Sequence, residues 1–282
     1  MLALRGKDQL FSRSNFSLWS MANHRLQSRQ MLLHEEPDDM QNALLEQLNL
    51  DRPDIHIGAD ATKMATLCAK AEKLIRPGRD GHRVPAGTNL LQAVNTLLQQ
   101  MQTLSAEIHE WTSHLTMASQ PRLIDLKTMA RRPGGSDYTP DHPLSHMYCP
   151  NLLSYPDVWL AFIWGFHAAC QIIFREMYIE LIEFHTTISF QDATEDQLRS
   201  MQRERSLIEG LAASIICSFS TLMGFTNAVG EVTDLPEQGL MAGRCLALFA
   251  MQVIRKAKYA LPEHKDTAEA VLRWMSASYV LD

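Results

Sequence analysis

The sequence predicts an all-α fold, an irregular bundle of many helices, and three observations carry that prediction. Apolar side chains recur at steps of three and four through nearly every long segment, as they do on one face of a helix. Alternating apolar and polar runs, the mark of a half-buried strand, are almost absent. The chain has 282 residues, 46% of them hydrophobic and 21% charged, which are values of a globular chain able to bury a substantial core. No internal repeat or low-complexity tract divides it, so a single domain over residues 1–282 is expected, with a loop or insert at about 117–156.

The elements follow in order. "SLWSMANHRLQSRQMLL", from Ser17 to Leu33, repeats apolar side chains at helical spacing and stops near Pro37. "DMQNALLEQL" and "DATKMATLCAKAEKLI" read as two shorter amphipathic helices, with Gly58 ahead of the second. A long helix follows, in which Leu90, Val94, Leu97, Met101, Leu104, Ile108 and Trp111 form one stripe. Asn89 is suited to cap its start, and Pro85 ends the loop before it.

From Met117 to Pro156 the periodicity breaks. "RRPGGSDYTPDHPLSHMYCP" carries prolines and glycines without a repeat, which reads as a loop. After it, "YPDVWLAFIWGFHAACQIIFREMYIELIEFH" is apolar all round in its first half, with Arg175, Glu176, Glu180 and Glu183 confined to its second. Such a helix runs through the middle of a bundle and emerges at one end. Thr194 and Asp196 suit the first turn of the next helix. Two more close the chain, the last with Pro262 in its first turn, where proline is tolerated.

"LAASIICSFSTLMGF", Leu211 to Phe225, has no charged residue. Uncharged through Gly230, it is about long enough for a bilayer, which requires ~20 apolar residues. Ser214, Ser218, Ser220, Thr221, Thr226 and Asn227 dilute it, and no aromatic or basic belt flanks it. Gly210, Ser214, Ser218 and Thr221 fall on one narrow face, and Leu207, Leu211, Ile215, Phe219 and Leu222 on a bulky one. It reads as a helix of a soluble core, not as a membrane span.

Charge and cysteine content bound the function. Net charge is −6, with a pI near 6.0, which gives no general attraction to nucleic acid. Five cysteines lie far apart with no CxxC pair, so neither a disulfide framework nor a structural zinc site is expected and a reducing compartment fits. Charges at residues 5, 7 and 8 leave no apolar core of signal-peptide length.

Four groups of residues are candidates for chemistry. Glu35, Glu36, Asp38 and Asp39 form an acidic cluster of the kind with which helical enzymes hold magnesium and an isoprenoid diphosphate. Pro37 interrupts it and no second metal motif follows, so it reads as an inter-helix turn in which Asp38 or Asp39 caps the next helix. His142, His146 and Cys149 have spacings a zinc ion could use but lie in an unstructured stretch. His167 and Cys170 sit one turn apart on the apolar helix, where neutral buried side chains are expected. Arg203, Arg205, Arg255, Lys256 and Lys258 are basic, without a phosphate loop, a GxSxG or a dinucleotide fingerprint. No catalytic, cofactor-binding or metal-binding residue is assigned, and no enzymatic activity is expected.

Several segments, in order, resemble the C-terminal regulatory domain (the fungal-specific transcription factor domain) of fungal six-cysteine zinc-cluster transcription factors. "LALRGKDQLFSRSNFSLWSMANHRLQSRQ" resembles its Arg-Gly pair followed by an aromatic-bearing helix, and "EIHEWTSHL" a helix ending in a leucine-tryptophan signature. "YPDVWLAFIWGFHAACQIIFREMYIELIE" resembles its long central helix, with Trp164 at the tryptophan position. "GLAASIICSFSTLMG" resembles the stretch that usually reads Ile-Cys-Ala-Ser-Val-Pro, with Ser218 and Gly224 in place. Ser220 stands where the family has proline, and His167 where it has an arginine. The zinc cluster and its basic linker are missing.

The resemblance implies an all-α transcription regulator in the nucleus, controlling a fungal metabolic or secondary-metabolite gene cluster. It would act through protein partners, as a homodimer or with a zinc-cluster factor, or by taking a small-molecule effector in the bundle. Direct sequence-specific DNA binding by this chain, a cofactor and a membrane association are not expected. A helix that begins in mid-pattern, Leu2 to Phe11, suggests a gene model truncated upstream of Met1. The alternative reading is an all-α enzyme acting on an isoprenoid diphosphate with magnesium.

Overall fold

A computed structural model describes residues 13–39, 41, 43, 53–80, 88–115, 121–125, 151–155, 158–223 and 240–277. Among the described residues, seven helices account for nearly all of the secondary structure: α1 (Arg13–Leu33), α2 (Pro53–Arg79), α3 (Thr88–His114), α4 (Val158–Ser189), α5 (Glu195–Leu222), α6 (Leu240–Lys256) and α7 (Pro262–Ala277). The all-α multi-helix fold is the one the periodicity predicts. Two short strands, β1 (Arg122–Asp125) and β2 (Asn151–Ser154), pair antiparallel with Arg122 opposite Ser154 and Asp125 opposite Asn151.

The long apolar helix organises everything else. α4 packs against α1, α2, α3, α5 and α6, while α7 rests on α5 and α6. By length and composition α4 could cross a bilayer, yet 72% of its most apolar window is buried inside the protein. Phe166, Ile172, Ile179, Leu181 and Ile182 are almost fully enclosed. Burying one such side chain is worth about 1.5–3 kcal/mol, so the helix that no other face could solubilise becomes the centre. It stays buried further than expected: Arg175 is itself enclosed, and Phe184 is still buried.

The stripe on α3 points inward as its spacing requires, with Val94, Leu97, Met101, Leu104 and Ile108 buried and Leu90 and Trp111 packed at its margins. In α5 the expected face turns inward at Ile215, Phe219 and Leu222, with Leu211 packed at its margin. Ile208, Ala212, Ile215, Ile216 and Phe219 are buried, whereas Leu207 is exposed. Nothing lies within 4 Å of the position a Cβ would take on Gly210, so no helix makes a close approach there. Ser218, Ser220 and Thr221 are buried; the Ser218 hydroxyl donates back to Ile215 O at 2.8 Å, and that of Thr221 donates to Leu153 O at 2.8 Å. As far as Met223 the uncharged segment packs into the interior, and the Thr221 hydroxyl ties β2 to α5.

Capping chemistry fixes several ends. Thr194 caps α5, its hydroxyl accepting from Gln197 N while the Gln197 side chain accepts from Thr194 N, the reciprocal box of a helix start. α1 stops with His34 at φ 51 and Glu35 N bonded to Gln30 O at 3.0 Å, the closing bond of a Schellman motif. Pro262 opens α7.

Three expectations are corrected. α2 begins at Pro53 and runs through Gly58 and Pro77, because Gly58 is covered by α1: its carbonyl accepts from Gln27 Nε2 at 2.6 Å. The segment expected to be a loop at 117–156 contains β1 and β2; four-residue strands are too short to show a period in sequence. Cys217 is disulfide-bonded, although no CxxC spacing marks it. Cys68 and Cys170 are free. Denatured without reductant, the protein should therefore titrate three thiols, not five, and counting them with a chromogenic disulfide checks this.

Candidate functional site

A line of polar side chains runs along the buried face of α4. Helical spacing sets it up, since residues 167, 171 and 175 lie one above another at steps of four. The Arg175 guanidinium donates through Nη1 to the Glu204 carboxylate of α5, through Nη1 to Ser105 Oγ of α3 at 3.4 Å, and through Nη2 to Gln171 Oε1 at 3.1 Å. With its oxygen engaged, Gln171 turns its amide nitrogen to His167 Nδ1 at 3.5 Å. That makes Nδ1 the acceptor, so neutral His167 carries its proton on Nε2.

His167 Nε2 faces Asp60 Oδ2 of α2 at 3.8 Å. The same oxygen lies 3.6 Å from His56 Nε2, one turn back on α2. Asp60 is 2% exposed and His167 fully enclosed, and neither Asp60 Oδ2 nor His167 Nε2 has a hydrogen-bond partner. Burial pushes the Asp60 carboxyl up to about 7 and the His167 imidazole down to about 3, each disfavouring the charged form. Tryptophans roof this centre: Trp111 stacks on His56 with centroids 4.1 Å apart and sits 6.2 Å from Trp164.

At the other end of α2, Glu72 collects bases. Arg76 Nε and Arg79 Nη1 donate to it at 3.2 and 2.9 Å, and His34 Nδ1 lies 3.6 Å away. Arg79 reaches on to Glu180 of α4. Beside this pair opens a groove of about 490 Å³, lined by Ile75, Arg79, Glu180, Phe184, Ile188 and Phe190 among others. Phe190 is 86% exposed and stops α4 at φ 53, a conformation in which glycine is the usual residue.

The sequence-stated candidates are dispersed. Asp38 Oδ1 accepts from Gln41 N at 2.7 Å, Glu35 pairs with Arg29 at 3.1 Å, and Glu36 with Lys73. The acidic turn is thus tied to local bases and a helix start. His142, His146 and Cys149 lie outside the described residues. Cys170 is fully buried and burial holds its thiol well above the ordinary range, so it is not an activated nucleophile beside His167. Arg255 pairs with Glu269 at 3.4 Å and Lys258 with Glu183 at 3.5 Å.

Two arrangements escaped sequence reading. Arg205 and Lys258 converge on the Tyr259 ring, 4.8 and 5.0 Å from its centroid, from segments more than fifty residues apart. Asp60, His56 and Gln171 carried no motif; the one available signal was an aspartate on the apolar side of an amphipathic helix.

Compared with protein-family models, curated proteins and solved structures, the chain matches none of them.

Two outcomes follow from this geometry. Arg175→Met or Glu204→Leu alone strands a buried charge and should cost about 3–5 kcal/mol, while the double variant should recover most of that loss; denaturant titration of the three variants measures it. Phe190→Gly relieves a left-handed phenylalanine and should raise stability by about 0.5–1 kcal/mol, read as a higher denaturation midpoint.

Proposed function

We propose that the chain is a regulatory, non-enzymatic helical domain that controls transcription through protein contacts and does not read DNA by itself. The observation that carries the reading is the placement of α4. The helix bearing Trp164 is the buried axis of an all-α bundle, the role that the resemblance to fungal zinc-cluster regulators assigns to it. The titratable side chains in and beside the core support the same reading. Arg175 and Glu204 pair with each other, Glu72 is surrounded by bases, the free buried thiols are neutral, and the unpaired Asp60 and His167 are enclosed away from solvent.

The acidic balance and the pairing of surface bases with carboxylates support an absence of DNA affinity, because phosphate binding depends on clustered free cations. The groove supports a protein contact. Its rim presents a phenylalanine in a backbone conformation that costs free energy, and strain held at an exposed position is a pointer to function. The occupant proposed is an apolar segment of a protein partner.

The test is to tether the chain to a foreign DNA-reading domain in a fungal host and measure a reporter gene. A several-fold change in either direction is expected, diminished by Phe190→Gly, which leaves the fold in place. A folded, expressed fusion that leaves transcription unchanged refutes the reading.

A further inference from the structure

We propose that Asp60 and His167 hold a single proton between them at the junction of α2, α3 and α4, and that loss of this proton makes the junction a proton-responsive joint. The inference is independent of the transcriptional reading. It stands on geometry: a buried carboxyl oxygen and a buried imidazole nitrogen, 3.8 Å apart and both without a hydrogen-bond partner. The Gln171 amide directs the His167 N–H toward Asp60 Oδ2. The partly exposed His56, 3.6 Å from the same oxygen, is the route by which the proton reaches water: the carboxyl O–H bond breaks, His56 Nε2 takes the proton, and the imidazolium releases it to solvent.

The surrounding charges do not replace this arrangement. On α2, Lys63 lies beside Asp60 but pairs with Glu107 of α3 at 3.5 Å. On α4, Arg175 stands two turns beyond His167 and is held by Glu204. From α1, the titratable His24 packs against Phe162 and Phe166, and Gln27 is the polar group bonded to α2. Asp60 therefore has no fixed cation of its own, and an imidazole is its partner on α4.

Linkage gives the idea a signature. Between about pH 4 and 6.5 the unfolded chain carries one proton, on His167, with Asp60 ionised. The folded site also carries one proton, retained near Asp60, so the pair contributes almost no pH dependence in that range. Each single replacement should expose the half that was cancelled. In Asp60→Asn, the folded site holds none of the protons that unfolded His167 binds, so stability falls as pH drops below 6.5. In His167→Gln, the folded site keeps a proton that unfolded Asp60 loses, so stability falls as pH rises from 4 toward 7.

The experiment is denaturant unfolding of the full chain and both variants from pH 4 to 8. Relative to the parent, slopes of about one proton and opposite sign are expected. Parallel curves, or slopes of one sign, overturn the proposal. Should a variant not fold, imidazole NMR of the parent decides: His167 should not titrate between pH 5 and 8, and an ordinary midpoint near 6.5 overturns the proposal.

Discussion

The structure depends on one constraint: the first half of α4 is apolar on every face and must be enclosed. A helix with one apolar stripe can lie on a surface, but one without a polar side has to be surrounded. Five helices pack against α4 as a result. The neighbours' own stripes, on α3 and α5 above all, find their burial by facing it. The disposition of the bundle is thus the solution to a solubility problem posed by some twenty residues.

Enclosure creates a second problem, because α4 also carries Arg175, Gln171 and His167 on a buried face. Each must find partners inside the protein, since an unpaired buried polar group costs about 1–3 kcal/mol and a charge more. Arg175 meets this with bonds to Glu204, Ser105 and Gln171, joining three helices at one guanidinium. The chain of bonds orients Gln171, then His167, whose Nε2 faces Asp60 Oδ2 across 3.8 Å. Orientation passes along the line as a donor and acceptor sequence, so the state of Asp60 is linked by contact to the ion pair two turns away.

Much of this was legible and some was not, for physical reasons. Periodicity reports which face of a helix is apolar, so the α3 stripe and the central place of α4 could be read directly. It does not report rotation against neighbours, and near the start of α5 it is Ile208, and not Leu207, that turns inward. Glycine is a weak helix former, which pointed to a start after Gly58; the Gln27 side chain, thirty-one residues away, outweighs that preference through its bond to Gly58 O. The Asp60–His167 centre joins α2 to α4 across more than one hundred residues, a separation at which a single sequence holds no spacing signal. Arg175 looked like the first charge of an emerging helix, because its partner lies on the following helix.

Asp60 and Glu72, two of the buried carboxylates of α2, show how different surroundings give one helix two kinds of acid. Glu72 meets two guanidiniums and an imidazole, a set of donors with which a buried negative charge is compensated. Asp60, three turns earlier, faces imidazoles and a lysine already paired to Glu107. Arginine keeps its proton at any ordinary pH, whereas an imidazole does not. Compensation at Glu72 is therefore permanent, and at Asp60 it varies with proton supply. Glu72 fixes the end of α2 against α4 through Arg79 and Glu180, so a change at Asp60 would act on a helix anchored at its far end.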